Sequence, residues 1–518
     1  MIKKIPKQVI NVLKKIEEAD FEAYIVGGCV RDLIMDRIPR DWDITTNAKP
    51  EEIQKLFPDS FYENEFGTVG VKVEKFLPNR NPEREHDVIE VTTYRIESKY
   101  SDKRRPDKVA FAETLEEDLS RRDFTINAIA LKISPHPSLR AALSRGERGL
   151  GGEGFDIVDP YEGRKDIKNK IIRTVGDSHE RFDEDALRMM RAIRFHAELS
   201  FTIEKNTFAA IEKYAGNIKH IALERVKDEL VRIILSDNPA STRGDSSTQG
   251  GPADGIDMLH QTRLLNYVIP ELEKGVGVKQ NRHHIYTIYK HSILSLKHCP
   301  SLKLEVRLAA LLHDIAKPQT KRGEGKFATF YNHDHAGARV ARKILERLRF
   351  SKEIINQVGL LIDNHMFYYN PDEVTESSVR RLIQKVGLQN MKDLIDVRIA
   401  DRLGSGVPKA KPYKLRHLEY IIEKVSTDAV SVKMLKINGD DLIKNLKIKP
   451  GPKIGAILDV LLSEVIEEAE KNNKECLLKR AKELDQKKLD KLRKMAKARI
   501  EEKKEEENKE IKGKYWIK

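Results

Sequence analysis

The most constraining residues stand near the start of the chain. An apolar run, Tyr24-Ile25-Val26, is followed by a glycine pair, Gly27-Gly28, a stretch of helical spacing carrying Arg31, and then Arg40-Asp41-Trp42-Asp43-Ile44. Two glycines between a strand and a helix let backbone amides approach a phosphate closely, and the helix N-terminus favours its charge. Residues two apart on a strand face the same side, so Asp41 and Asp43 are expected to present two carboxylates together, which suits a hard divalent cation such as Mg²⁺. Two such metals about 4 Å apart can activate an attacking hydroxyl and neutralise a departing pyrophosphate. Either motif alone is usually a turn or a loop; their order and close spacing make nucleotide transfer the expected chemistry.

A third carboxylate commonly completes such a site. Glu90 stands in Val88-Ile89-Glu90-Val91-Thr92, an otherwise apolar or hydroxyl-bearing run. Burial there would cost several kcal/mol unless the group were paired or metal-bound. It is the expected third acid.

Apolar periodicity predicts a helix over residues 6–20 and strands over 24–26, 67–74 and 88–94, whereas from about residue 178 the pattern is almost wholly helical. The expected fold class is α+β: a head with a mixed or antiparallel sheet, then a mostly α-helical neck, a further helical domain and a tail. At 518 residues the chain is long enough for several domains. The expected divisions are a head over 1–165, a neck over 166–236, a helical domain over 256–425, a helical tail over 426–480 and a charged end over 481–518. Segments 134–154 and 237–255, rich in Ser, Gly, Pro and Arg without apolar period, are expected to be disordered insertions, and 79–87 a hairpin loop.

A net charge of +13 favours a polyanionic partner without identifying one. Three scattered cysteines, Cys29, Cys299 and Cys476, build neither a disulfide framework nor a zinc site, and no apolar stretch is long enough to cross a membrane. A cytoplasmic protein without membrane attachment is expected; the oligomeric state is not readable.

Further motifs follow in order: Arg104-Arg105-Pro106-Asp107, then Asp118-Leu119-Ser120-Arg121-Arg122-Asp123-Phe124-Thr125-Ile126-Asn127-Ala128, then Glu184-Asp185-Ala186-Leu187-Arg188-Met189-Met190-Arg191-Ala192. Together with the glycine pair and the two aspartates they resemble the class II nucleotidyltransferases, in the branch of bacterial tRNA nucleotidyltransferases (CCA-adding enzymes) and poly(A) polymerases. The resemblance covers residues 20–235 and resumes at Gly451-Pro452-Lys453-Ile454-Gly455. It implies that Asp41 and Asp43 bind catalytic Mg²⁺, that Gly27, Gly28, Arg31, Arg122 and Asn127 belong to the nucleotide site, and that Asp123 lies near the ribose. CTP, ATP and tRNA are the implied partners, and an intact segment over 94–111 speaks against an enzyme that adds C alone.

Asp185 and Arg188 stand three apart on a run of helical spacing and are expected on one wall. A carboxylate only accepts and a guanidinium only donates. Cytosine and adenine each offer an amino donor beside a ring-nitrogen acceptor, which complements the pair; uracil and guanine reverse the pattern and would leave desolvated groups unpaired. An ideal helix turns Arg191 and Arg194 progressively away, Arg194 by about half a turn, so phosphate or structural pairing suits Arg194 better.

A second constellation, His291, His313-Asp314 and Asp401, with His335 and His365 between them, resembles the ligands of HD-type phosphohydrolases. Mixed imidazole and carboxylate donors suit Mn, Fe, Ni or Zn without choosing among them. The expected function is untemplated addition of C, C and A to a tRNA 3′ end with release of pyrophosphate. The competing readings are a poly(A) polymerase, an HD phosphohydrolase with a nucleotide-binding head, and a non-catalytic RNA-binding protein, for which three clustered acids would be a liability.

Overall fold

A computed structural model describes residues 4–64, 67–76, 86–97, 109–133, 155–236, 250–281, 285–371, 373–406, 413–427, 435–467 and 469–495. The chain forms two compact units, residues 1–359 and 360–518.

The first unit opens with helix α1 (Lys7–Glu17), which buries Val9, Val12, Leu13 and Ile16 along one stripe. Next come β1 (Ala23–Val26), α2 (Gly28–Ile34), β2 (Asp43–Thr46), α3 (Pro50–Leu56), β3 (Ser60–Asn64), β4 (Thr68–Val73) and β5 (Asp87–Thr93). A short ribbon, β6 (Arg95–Glu97) with β7 (Val109–Phe111), precedes α4 (Leu115–Ser120), β8 (Ala130–Ile133) and β9 (Phe155–Val158). The head is thus built on one mixed seven-stranded sheet in the order β3-β4-β5-β2-β1-β8-β9. Only β2 and β5 pair in parallel within it; every other neighbouring pair is antiparallel. That parallel pair puts Asp43 directly opposite Glu90, and directly opposed residues carry their side chains on the same face.

Helices then take over: α5 (Gly163–Asn169), α6 (Ser178–Glu184), α7 (Leu187–Leu199), α8 (Lys205–Tyr214), α9 (Leu223–Ile234) and α10 (Pro252–Gln261). Helix α7 is enclosed almost all round, with Leu187, Met189, Met190, Ile193 and Phe195 buried, which is why its sequence shows no clean two-sided pattern. The insertion expected over 237–255 is shorter. Residues 250–255 are ordered, α10 starts at Pro252, and Gly255 packs so closely that a Cβ there would lie 2.5 Å from Ile233 Cγ2. The rest of that insertion, the one over 134–154 and the motif at 104–107 lie outside the described residues, as does nearly all of the loop expected at 79–87.

In the second unit a cluster of Leu435, Ile437, Leu442, Ile457, Leu461, Leu477, Leu484 and Leu492 forms a core of its own. Its principal helices are Pro452–Glu467 and Lys474–Asp485, the second running past residue 480, where the charged end was expected to begin. The charged end beyond residue 495 lies outside the described residues. No described helix is long and apolar enough to cross a membrane.

Candidate active site

Gly27 ends β1 with φ +84°, a conformation that L side chains rarely adopt, and its NH closes the turn by donating to Ile129 O at 3.3 Å. A Cβ built on it would sit 3.1 Å from Arg122 Nη1 and 3.5 Å from Asp43 Oδ2. The turn, the metal-site aspartate and the motif arginine therefore meet at one point. Gly28 begins α2 and faces the Arg31 guanidinium. In the same turn burial pushes the Cys29 thiol up to about 12, so it stays protonated and plays no nucleophilic part.

Strand β2 begins only at Asp43; Asp41 precedes it in a bend and is exposed, while Trp42 between them is buried. Glu90 is exposed as well, so the penalty that a buried acid would carry does not apply to it. What places Glu90 is its register opposite Asp43. Asp41, Asp43 and Glu90 do not offer one oxygen each within 4.8 Å of one another.

Behind the turn runs a continuous polar chain. Arg31 Nη1 donates to Asn127 Oδ1 at 2.8 Å, Asn127 Nδ2 donates to Asp123 Oδ1 at 3.1 Å, and Arg191 Nε donates to Asp123 Oδ2 at 2.7 Å. Burial raises the Asp123 pKa, but Arg191, the Asn127 amide and nearby Arg188 outweigh it and hold the carboxyl down to about 2. Four expected nucleotide-site residues, Arg31, Asn127, Asp123 and Arg191, are thus one hydrogen-bonded unit.

The expected Asp185–Arg188 pair is arranged differently. Asp185 lies in the break between α6 and α7 with extended backbone (φ −134°, ψ 104°) rather than on a helix. Its Oδ1 accepts the Leu187 NH at 2.9 Å and its Oδ2 accepts Arg225 Nη2, from α9, at 3.1 Å. Arg188 is nearly buried, pairs with Glu184, and donates to Arg181 O at 3.2 Å and Arg121 O at 3.3 Å. Both side chains are therefore fixed by other partners. Arg194 is buried among Glu229 at 2.7 Å, Glu198 at 3.1 Å and the face of Phe195, a structural assignment.

A second polar cluster lies on the helices Ile288–Lys297, Leu304–Leu312 and His333–Arg347 of the first unit. His291 Nε2 is 3.0 Å from His313 Nε2, and Asp314 Oδ2 is 3.2 and 3.3 Å from them. His333 Nε2 is 3.4 Å from Asp314 Oδ1 and Lys317 Nζ 2.6 Å from Oδ2. The Nδ1 atoms of His313 and His333 face the carbonyls of Ala310 and Phe330 at 2.9 and 2.7 Å, which orients each Nε2 towards Asp314. Burial raises the Asp314 pKa, but His313 and Lys317 beside it leave the carboxyl well below the usual carboxylate range. His335 does not join the cluster: it is exposed, and the histidine two residues earlier, His333, is the one turned inward. In the second unit, His365 is fully buried with Nδ1 2.7 Å from Ile362 O, and Asp401 accepts Arg398 Nη1 at 2.7 Å.

Arg225 and His333 escaped the sequence reading, and Glu184 and Asp118 stood in its motifs without a role. Asp118 was findable, since a carboxylate three and four residues before two arginines on a helix is an ion-pair spacing. Arg225 lies 40 residues from Asp185, and no local pattern announces it.

Residues 23–173 match the family model of the poly A polymerase head domain, residues 200–243 that of the probable RNA and SrmB-binding site of polymerase A, and residues 324–481 that of a putative tRNA nucleotidyltransferase domain 2. The CCA-adding enzyme of Ligilactobacillus salivarius is 33% identical over 482 residues, 92% of this chain and 96% of its own. That of Enterococcus faecalis is 31% identical over 494 residues, 92% and 95%. Among solved structures, the Bacillus stearothermophilus CCA-adding enzyme in complex with CTP is 25% identical with a TM-score of 0.55, covering 93% of this chain and 97% of that one. With a sheet-based head carrying the glycine turn and acids, a helical continuation carrying the arginines, and relatives matched over nearly their full length, the chain belongs to the CCA-adding enzyme family.

Proposed function

We propose that this protein is a tRNA nucleotidyltransferase that adds C, C and A, from CTP and ATP, to a tRNA 3′ end without a nucleic-acid template. The observation that carries the reading is the meeting of Gly27, Arg122 and Asp43 at one point, with Glu90 in register beside Asp43. The 3′ hydroxyl attacks the α-phosphate and pyrophosphate leaves. The donor set fits a divalent metal, typically Mg²⁺ in this family: Asp41 and Asp43 would hold it, with Glu90 supporting the site. Mg²⁺ there would activate the hydroxyl and neutralise charge on the leaving group. The turn after β1 offers backbone amides to the triphosphate, while Arg31 and Arg122 neutralise it. Asp123 and Asn127 would lie towards the ribose, and Asp185 with Arg188 would read the base on exchanging their present partners Arg225 and Glu184 for it.

The domain roles follow: residues 1–165 carry the chemistry, 166–236 choose the nucleotide, and 426–480 grip tRNA by shape and phosphate. The test offers each labelled nucleoside triphosphate to tRNA lacking its 3′ end. C and A are incorporated, U and G are not, and Asp43→Ala lowers the rate by about a thousandfold or more. Turnover untouched by that substitution would sink the reading.

A second activity is supported by the other cluster. His291, His313, Asp314 and His333 form a buried nitrogen and oxygen donor set suited to Mn, Ni, Fe or Zn, and would support a phosphohydrolase. The sequence resemblance adds Asp401 and His365, both buried, to the expected ligands. His313→Ala is expected to lose bound transition metal by elemental analysis, and any phosphatase activity, while nucleotide addition persists.

A further inference from the structure

Asp118 on α4 is wholly buried, and one carboxylate holds three partners. Its Oδ1 accepts Arg121 Nε at 2.9 Å and Nη2 at 2.7 Å; its Oδ2 accepts Arg122 Nη2 at 3.1 Å and Thr45 Oγ1 at 3.3 Å. Thr45 lies on β2, two residues beyond Asp43, so the carboxylate ties the arginines to the strand that bears the acid. Arg122 Nη1, the neighbouring terminal nitrogen of the same guanidinium, is the atom that lies over Gly27. Its Nε is buried and finds no acceptor among the described residues. Asp118 is shared by two guanidinium groups, and Arg122 Nη1, close to Gly27 and Asp43, carries donors suited to the oxygens of a polyphosphate.

We propose that Asp118 is a positioning residue for the nucleotide: its buried carboxylate holds the Arg122 guanidinium over Gly27 and beside Asp43, so that the free edge meets the triphosphate oxygens. This rests on Arg122 holding the nucleotide. Asp118 touches no substrate; it acts through Arg122. Replacing it with Asn keeps the shape and removes the charge that orients two arginines at once.

The experiment is a double-mutant cycle on the full chain, using steady-state kinetics with CTP and with ATP on tRNA lacking its 3′ end, plus thermal unfolding of each variant. Asp118→Asn is expected to raise KM for both nucleotides about tenfold, with a smaller effect on kcat and none on KM for tRNA. In an Arg122→Ala background the same change is expected to add little. Thr45→Val, which removes one hydrogen bond from the same oxygen, should shift KM in the same direction by about twofold to threefold, and supplies the answer should Asp118→Asn not fold. Effects of Asp118→Asn and Arg122→Ala that multiply independently, or a kcat loss with unchanged KM, would overturn the inference and leave Asp118 a scaffold residue. If Arg122→Ala raises KM but Asp118→Asn and Thr45→Val do not, the inference alone fails. If Arg122→Ala leaves KM unchanged, the assignment of Arg122 itself is wrong.

Discussion

At the scale of single residues, the site is a set of charges held in place by their partners more than by their position in the sequence. Asp123 illustrates the consequence for stability. Its carboxyl is lowered from 3.8 to about 2 in the folded chain, so its contribution is fully present above the unfolded value and disappears as the pH falls through the folded one. Between about pH 4 and pH 2 the protein should lose roughly 2 kcal/mol through this group. Asp123→Asn should flatten that part of the acid unfolding curve, followed by circular dichroism, while lowering stability at neutral pH. An unchanged acid limb would mean that the ion pair with Arg191 is not formed in solution. Asp41, Asp43, Arg122 and Asp123 stand out in the sequence as candidates because side-chain type, order and short spacing single them out. The partners do not: Asp185 meets Arg225 and Arg188 meets Glu184 because of how helices pack, and between the two acids it is Trp42, just before β2, that is buried. His333 was not singled out for the same reason, since only the start of the helix at His333 decides which ring turns inward.

At the scale of elements, period and turn chemistry made the head readable: β1, β4 and β5 lie within a residue of their expected places. The break between α6 and α7 was not, because Asp185 and Ala186 interrupt a run whose spacing is helical on both sides. The start of α10 was missed because Gly250, Gly251 and Gly255 read as loop composition, whereas Gly255 is there for close packing on Ile233 and Ala197. A similar contact gives a test. Gly163 starts α5 where a Cβ would lie 2.2 Å from Thr125 O and 2.8 Å from Ile129 Cγ1. Gly163→Ala should therefore destabilise the protein by about 2 kcal/mol in chemical denaturation, despite improving helix propensity. Thr114 caps α4 through a reciprocal pair with Glu117, and Thr114→Ala should cost about 1 kcal/mol. A gain in stability from either would contradict the packing described.

At the scale of the whole molecule, the proposed division gives chemistry to the sheet-based head and grip to the helical remainder. The net charge of +13 makes tRNA binding expected to weaken linearly in log–log form with salt, by at least about tenfold between roughly 50 and 200 mM. Affinity measured by fluorescence anisotropy checks this, and salt-independent binding would contradict a phosphate-dominated interface. Charge alone named no partner; it took the motif order and the near full-length relatives to make the polyanion a tRNA. The central claim is untemplated addition of a fixed three-nucleotide end. Its most direct test is sequencing the 3′ ends of tRNA lacking C-C-A after incubation with the protein, Mg²⁺ and all four nucleoside triphosphates. The account predicts ends that stop at C-C-A, with none added by Asp43→Ala; a long tract of A, or U and G within the added end, would contradict it.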